Sequence, residues 1–141
     1  MSNEFKVVLW LSRQRPLPVQ IEVLKEKLGN IILLERSRPI PTVDKALELI
    51  GKVNADYVIP VLPLTFVVRL VEESRKSKFV VIRPIMDLVH ECSSTPCPDY
   101  DPRTDTLVET KDYETGRVFY RHYRFREFRI IKEVQFVEEV L

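Results

Sequence analysis

The sequence predicts an α/β domain: an open parallel sheet in the order β-α-β-α-β-α-β, followed by a C-terminal antiparallel β-hairpin or meander. Three observations predict it. Apolar runs of four to six residues recur four times between residues 5 and 84. Each of the first three leads into a stretch of about a dozen residues with apolar side chains at helical spacing, and crossovers of that length join parallel strands. Beyond residue 105 the period changes, and apolar and charged residues alternate as they do in half-buried antiparallel strands.

The first run is Val7-Val8-Leu9-Trp10-Leu11, stopped by Ser12-Arg13-Gln14. Apolar residues at every position mean burial on both faces, so this is the central strand. Arg15-Pro16-Leu17-Pro18 leads into a helix, because proline suits a first helical turn. Ile21, Leu24 and Leu28 share one face and Gly29 supplies a stop, which predicts a helix over Pro18–Leu28. Ile31-Ile32-Leu33-Leu34 is the second strand, ending at Glu35-Arg36-Ser37-Arg38. Pro39-Ile40-Pro41 is a stiff connector. Thr42 is a good N-cap, and Val43, Ala46, Leu47 and Ile50 predict a second helix over Val43–Val53.

The third strand spans 57–62. Pro60 lies inside it and removes a ladder donor, so the strand is at an edge there or bends. Pro63-Leu64-Thr65 opens a third helix over 64–77, with Phe66, Val67, Leu70 and Val71 on its apolar face. Phe79-Val80-Val81-Ile82 is the fourth strand, ending at Arg83-Pro84. The segment 85–89 is short and apolar. Residues 91–105 carry Ser93, Ser94, Thr95, Pro96, Pro98 and Pro102 and read as a loop. A strand over 106–110, a turn over 112–116 and an alternating stretch over 117–125 follow. Phe128, Ile130, Val134, Phe136 and Val140 share one parity and suggest a third strand. The expected division is a core over 1–90, a loop over 91–105 and an extension of the same domain over 106–141.

With 141 residues, 45% hydrophobic and 30% charged, the chain can bury a substantial core and is not disordered. A net charge of +1 gives no electrostatic argument for nucleic acid or membrane. Three glycines among many Lys, Glu and Arg lean towards a thermophilic source. The N-terminus, Met1-Ser2-Asn3-Glu4, is polar and no stretch is long enough to span a bilayer, so a cytoplasmic location without a membrane partner is expected.

In open parallel sheets ligands bind beyond the carboxyl ends of the strands. Those ends offer Ser12, Arg13 and Gln14, then Arg36 and Ser37, then Leu64 and Thr65, then Arg83. Guanidinium groups fork onto phosphates, hydroxyls add donors, and the N-termini of the first and third helices add backbone amides. The competing reading is ordinary polar caps. No GxGxxG or GxxxxGK[ST] follows the first strand, which argues against a dinucleotide dehydrogenase or a P-loop enzyme.

His90, Cys92, Cys97 and His122 are the chain's soft-metal ligands. His90-Glu91-Cys92 and Pro96-Cys97 echo the H-x-E…P-C-x-x-C pattern of zinc deaminases, but Glu91 is one place early and Cys97 has no partner three residues on. A structural zinc site closed by His122 is one arrangement. Free thiols or a disulfide rank above it, so no metal and no cofactor are expected. Arg117, Arg121, Arg124, Arg126 and Arg129 interleave with Phe119, Tyr120, Tyr123, Phe125 and Phe128, a pattern that suits RNA. A half-buried strand whose charged face meets the acidic 99–114 stretch ranks ahead of it. No Ser-His-Asp or Cys-His triad can be assembled.

Val8-Leu9-Trp10-Leu11-Ser12-Arg13-Gln14 before a proline and a helix, with Val61-Leu62-Pro63-Leu64-Thr65 opening another, resembles the small Rossmann-like proteins of CRISPR systems. These are the CRISPR-associated Rossmann-fold sensors and stand-alone ring nucleases, and the resemblance covers roughly residues 5–84. It implies a homodimer of antiviral defence that binds a cyclic oligoadenylate. Ser12, Arg13, Gln14, Arg36, Ser37, Leu64, Thr65 and Arg83 would face the ligand. Ser12, Arg13 and Arg83 would serve any metal-independent cleavage, in which a ribose 2′-hydroxyl attacks its own phosphate. The C-terminal hairpin lies outside the resemblance. The alternative is a non-enzymatic module that binds protein or RNA through that hairpin.

Overall fold

The computed structural model describes residues 4–93 and 97–141. Met1, Ser2 and Asn3, and Ser94, Thr95 and Pro96 of the expected loop, lie outside the described residues. The elements run β1 (Lys6–Leu11), α1 (Pro18–Leu28), β2 (Ile31–Arg36), α2 (Val43–Val53), β3 (Tyr57–Pro60), α3 (Leu64–Ser74), β4 (Val80–Cys92), β5 (Asp105–Lys111) and β6 (Val118–Ile130). Six strands form one sheet in the order β2-β1-β3-β4-β6-β5. β1 pairs in parallel with β2 and β3, β3 pairs in parallel with β4, and β5 pairs antiparallel with β6. The fold is a mixed α/β sheet, parallel at one end and antiparallel at the other.

The chain resolves into two compact units. The first holds the residues up to 15, 28–83 and 129–141; the second holds 16–27 and 84–128.

In the first unit β1 is an interior strand, as its unbroken apolar run requires. Val8, Leu9, Trp10 and Leu11 are all buried. Leu9 and Leu11 join Val58 of β3 and Val81 of β4, and the core is closed by Ala46 and Ile50 of α2 and by Leu70 and Val71 of α3. Asp56 secures the start of the ladder. Its N–H donates to the Val7 carbonyl at 2.9 Å, and its Oδ2 accepts the Val7 N–H at 2.8 Å. Its own carbonyl accepts the Val80 N–H at 2.9 Å, so one residue ties the entries of β1, β3 and β4.

The helix ends follow local chemistry. The Thr42 hydroxyl accepts the Lys45 N–H at 3.2 Å. Asn54 closes α2 in the left-handed region, with φ 57, a conformation Asn tolerates better than most residues.

In the second unit α1 enters through buried Gln20. Its Oε1 accepts the Leu17 N–H at 2.7 Å. The Val19 N–H donates to the Arg103 carbonyl at 3.1 Å, and the Arg103 guanidinium forks onto Glu22 at 2.7 and 2.9 Å. β5 and β6 form a hairpin registered from Asp105↔Arg124 to Lys111↔Val118. Its turn is closed by the Gly116 N–H on the Asp112 carbonyl at 2.8 Å, and Gly116 takes the positive φ of 71 that glycine favours.

Four expectations need correction. The fourth strand does not stop at Arg83-Pro84 but continues to Cys92. β3 ends at Pro60, while β4 runs on beside β6, so Pro84 does not terminate it. The third strand is likewise shorter than 57–62, since Pro60 is its last residue. The third helix stops at Ser74, where the Arg75 and Lys76 N–H groups turn back to Glu72 and Glu73. The expected third strand of the meander is absent: residues 131–141 carry no regular element. There the Ile131 N–H donates to the Val81 carbonyl at 2.8 Å, and Ile131 and Val134 pack on the first unit's core, while Phe136, Val137 and Val140 are exposed. Shared parity over so few apolar residues did not distinguish a strand from a strap.

Asp56→Ala removes the acceptor for the Val7 N–H at the head of β1. The variant should lose about 1–3 kcal/mol in urea unfolding. An unchanged midpoint would mean that this contact does not secure the ladder.

Candidate functional site

The carboxyl ends of β1, β2 and β3 lie on one row, level with Arg83 inside β4, so Arg83 is not at a strand end as expected. Leu11 is in register with Arg36 on one side and with Pro60 on the other. The β3–β4 register pairs Val58 with Val81; carried two residues further, it sets Arg83 level with Pro60. The row is therefore Arg36, Leu11, Pro60, Arg83. Strands lie about 4.8 Å apart, so its outer members are about 14 Å apart. The order β2-β1-β3 also places the reversal of chain direction across the sheet between β1 and β3, where open α/β sheets leave a crevice.

Around this row the expected residues divide. Ser12 is buried, and its Oγ accepts the Gln14 N–H at 3.1 Å. The Trp10 Nε1–H donates to the Gln14 carbonyl at 2.8 Å. The Ser12-Arg13-Gln14 tip is thus a pinned turn, with Ser12 serving its own backbone and Arg13 exposed. Arg36, Ser37, Leu64, Thr65 and Arg83 are also exposed. Arg13, Arg36 and Arg83 make no ion pair among the described residues, whereas neighbouring Arg15 meets Glu35 at 3.5 Å. α3 opens on Pro63, which gives its first turn no side-chain cap.

The other expected helix start is not available. In α1 Pro18 has no N–H, the Val19 N–H goes to Arg103, and those of Gln20 and Ile21 go to the Leu17 carbonyl. Its leading amides are already satisfied, so an anion site there is withdrawn.

In the second unit β4, the loop after it and β6 converge four soft donors. Cys92 and Cys97 are buried free thiols, not joined to each other. His90 Nε2 lies 3.0 Å from Cys92 Sγ and 2.5 Å from Cys97 Sγ. Cys97 Sγ lies 3.4 Å from Nδ1 of His122, which has no exposed surface. Burial pushes the Cys92 thiol up to about 11, with a hydrogen bond and charge from Cys97 and the charge of Asp99 adding to the rise.

Behind His122 sits Asp105, equally inaccessible. Its Oδ2 meets His122 Nε2 at 2.6 Å. Arg124 donates to Oδ1 from Nε at 2.8 Å and to Oδ2 from Nη2 at 3.0 Å. The Thr104 hydroxyl and the Asp101 N–H complete the set at 2.6 and 2.9 Å. Burial alone would raise this carboxyl, but the donors led by Arg124 outweigh it and hold it well below the usual carboxylate range. Sequence reading did not single out Asp105. Its only signal was an acidic residue at the start of a strand that pairs with the arginine-rich one.

The arginines of β6 are largely engaged. Arg121 Nε lies 3.4 Å from Glu91, Arg124 forks onto Asp105, and Arg126 forks onto Asp87 at 2.8 and 2.6 Å. Only the Arg124 pair draws on the acidic 99–114 stretch; the other two carboxylates come from β4. Arg121 also lies over the Phe119 ring at 5.7 Å.

Arg124→Ala leaves a buried carboxylate without its fork and should lower stability at neutral pH by about 1–3 kcal/mol. A depressed native carboxyl stabilises the fold above its unfolded value of about 4 and loses that contribution as the pH falls below it. The gap between wild type and variant in denaturant unfolding should therefore narrow on acidification below about pH 4. A gap independent of pH would rule out Asp105 as its origin.

No protein-family model matches the chain, and no curated protein or solved structure matches it either.

Proposed function

We propose that the chain is a Rossmann-like nucleotide-binding protein that holds a phosphate-bearing ligand, such as a cyclic oligoadenylate, across the carboxyl ends of β1 and β3. The observation that carries this reading is the set of exposed guanidiniums that make no ion pair among the described residues, Arg13, Arg36 and Arg83, near the point where the sheet order reverses. Arginine is the side chain best suited to fork onto phosphate oxygens. The spread of about 14 Å between Arg36 and Arg83 exceeds one phosphate and suits a ligand with several. The uncapped start of α3 at Leu64 and Thr65 adds a helix N-terminus at the same crevice.

A symmetric ring would engage a homodimer, each copy presenting one row to half of the ligand. Cleavage would need no metal: a ribose 2′-hydroxyl attacks the adjacent phosphorus and gives its proton to water, the 5′-oxygen leaves and takes a proton from water to become a hydroxyl, and a 2′,3′-cyclic phosphate results. Arg13 and Arg83 would stabilise the developing charge, and Ser12 would act by fixing the Arg13 turn. In the alternative, RNA or protein binding by the hairpin, the guanidiniums of Arg121, Arg124 and Arg126 would first have to leave Glu91, Asp105 and Asp87.

A thermal-shift panel of mononucleotides with linear and cyclic oligoadenylates tests the reading. A cyclic oligoadenylate should raise the melting temperature, and the Arg36→Ala, Arg83→Ala double variant should weaken binding at least about tenfold. Arg117→Glu with Arg121→Glu should leave it unchanged. No shift with any nucleotide, or a shift indifferent to Arg36 and Arg83, would overturn the proposal.

A further inference from the structure

We propose that His90, Cys92, Cys97 and His122 bind one zinc ion in a closed Cys2His2 site that staples the loop after β4 to the β5–β6 hairpin. This goes beyond nucleotide binding and does not depend on it.

The donors come from three places in the chain: His90 and Cys92 from the end of β4, Cys97 from the loop, and His122 from the middle of β6. His90, Cys92 and Cys97 each offer a ligand atom, and these lie within 4.8 Å of one another. His122 Nδ1 joins them at 3.4 Å from Cys97 Sγ. Around a tetrahedral zinc, with Zn–S near 2.3 Å and Zn–N near 2.0 Å, neighbouring donors are about 3.3–3.8 Å apart. Of the sulfur–nitrogen distances here, 3.4 Å lies within that range, and 3.0 and 2.5 Å are shorter. Lengthening the two short contacts by about 1 Å or less would bring them into range, with His122 reaching the cluster through its contact with Cys97. His90 presents Nε2 to both sulfurs, and His122 presents Nδ1.

The support behind the ligands makes the case independently of the distances. His122 Nε2 faces the Asp105 carboxylate at 2.6 Å, and Asp105 is itself held by Arg124, Thr104 and the Asp101 amide. A carboxylate that already takes the Arg124 fork can only accept from the imidazole. Nε2 therefore donates to Asp105, which leaves Nδ1 facing Cys97 Sγ at 3.4 Å. This carboxylate–histidine arrangement orients metal-bound imidazoles generally. Asp105 and His122 are both fully buried. Two sulfurs and two imidazoles, with no open carboxylate among them, select zinc over magnesium or calcium and leave no free position for catalysis.

The full-length protein, reduced and stripped with a chelator, should take up one zinc per chain in a chromophoric-chelator competition. Cobalt in its place should give the intense visible absorption of a tetrahedral thiolate site. Cys97→Ser and His122→Ala should each lose at least tenfold in zinc affinity. His122→Cys should keep both the stoichiometry and the cobalt spectrum, because a Cys3His set still suits zinc; this variant separates ligand loss from misfolding. Absence of uptake, an octahedral cobalt spectrum, or zinc retained by both Cys97→Ser and His122→Ala would overturn the proposal.

Discussion

A carboxylate with no exposed surface is the constraint around which the second unit is arranged. Burying Asp105 without partners would cost several kcal/mol. Its partners are drawn from every nearby segment: Arg124 and His122 from β6, Thr104 beside it, and the Asp101 amide from the preceding turn. Meeting those demands fixes the hairpin register, since Asp105 lies opposite Arg124. It also fixes the rotation of the His122 ring and so the direction in which its other nitrogen faces. A network of this kind specifies one arrangement more than it adds stability, because a half-satisfied version would be worse than an apolar core.

The first unit solves a different problem. Its strands are apolar and its stability rests on burial, with Leu9 and Leu11 at the centre and helices α2 and α3 over them. Polar chemistry is pushed to the row where β1, β2 and β3 end. Among the described residues Arg13, Arg36 and Arg83 are exposed without carboxylate partners, while other arginines, such as Arg69, Arg75 and Arg103, sit beside acidic groups. Unpaired cations gathered at one rim leave the local field unneutralised. The second unit thus buries a carboxylate that its own cations cancel, while the first keeps its ion pairs, such as Arg69 with Glu73, at the surface.

Local signals were legible in the sequence and non-local ones were not. Helices α1 and α2 have the bounds expected for them, because Pro18, Gly29, Thr42 and the spacing of Val43, Ala46 and Ile50 act within a few residues. β1 is interior because its apolar run has no polar face. β4 was cut short because Arg83-Pro84 reads as a stop, and only the strands beside it decide that it continues. The rim residues could be named from the ends of runs, but their lack of ion pairs could not. Of the Cys and His donors, the pair within three residues was visible as a pair. His122 could be named as a fourth donor, but only the fold set it beside Cys97.

The chain has a single tryptophan, and it lies one residue before the end of the interior strand β1. Trp10 is buried among the strands, yet its indole nitrogen holds the carbonyl of Gln14 across the turn that carries Arg13. The same ring therefore belongs to the packed interior and to the most outward part of the rim. Its emission is a built-in optical probe of that turn, uncomplicated by any second indole. Movement of Arg13 against the sheet would register there even where the sheet itself stays unchanged.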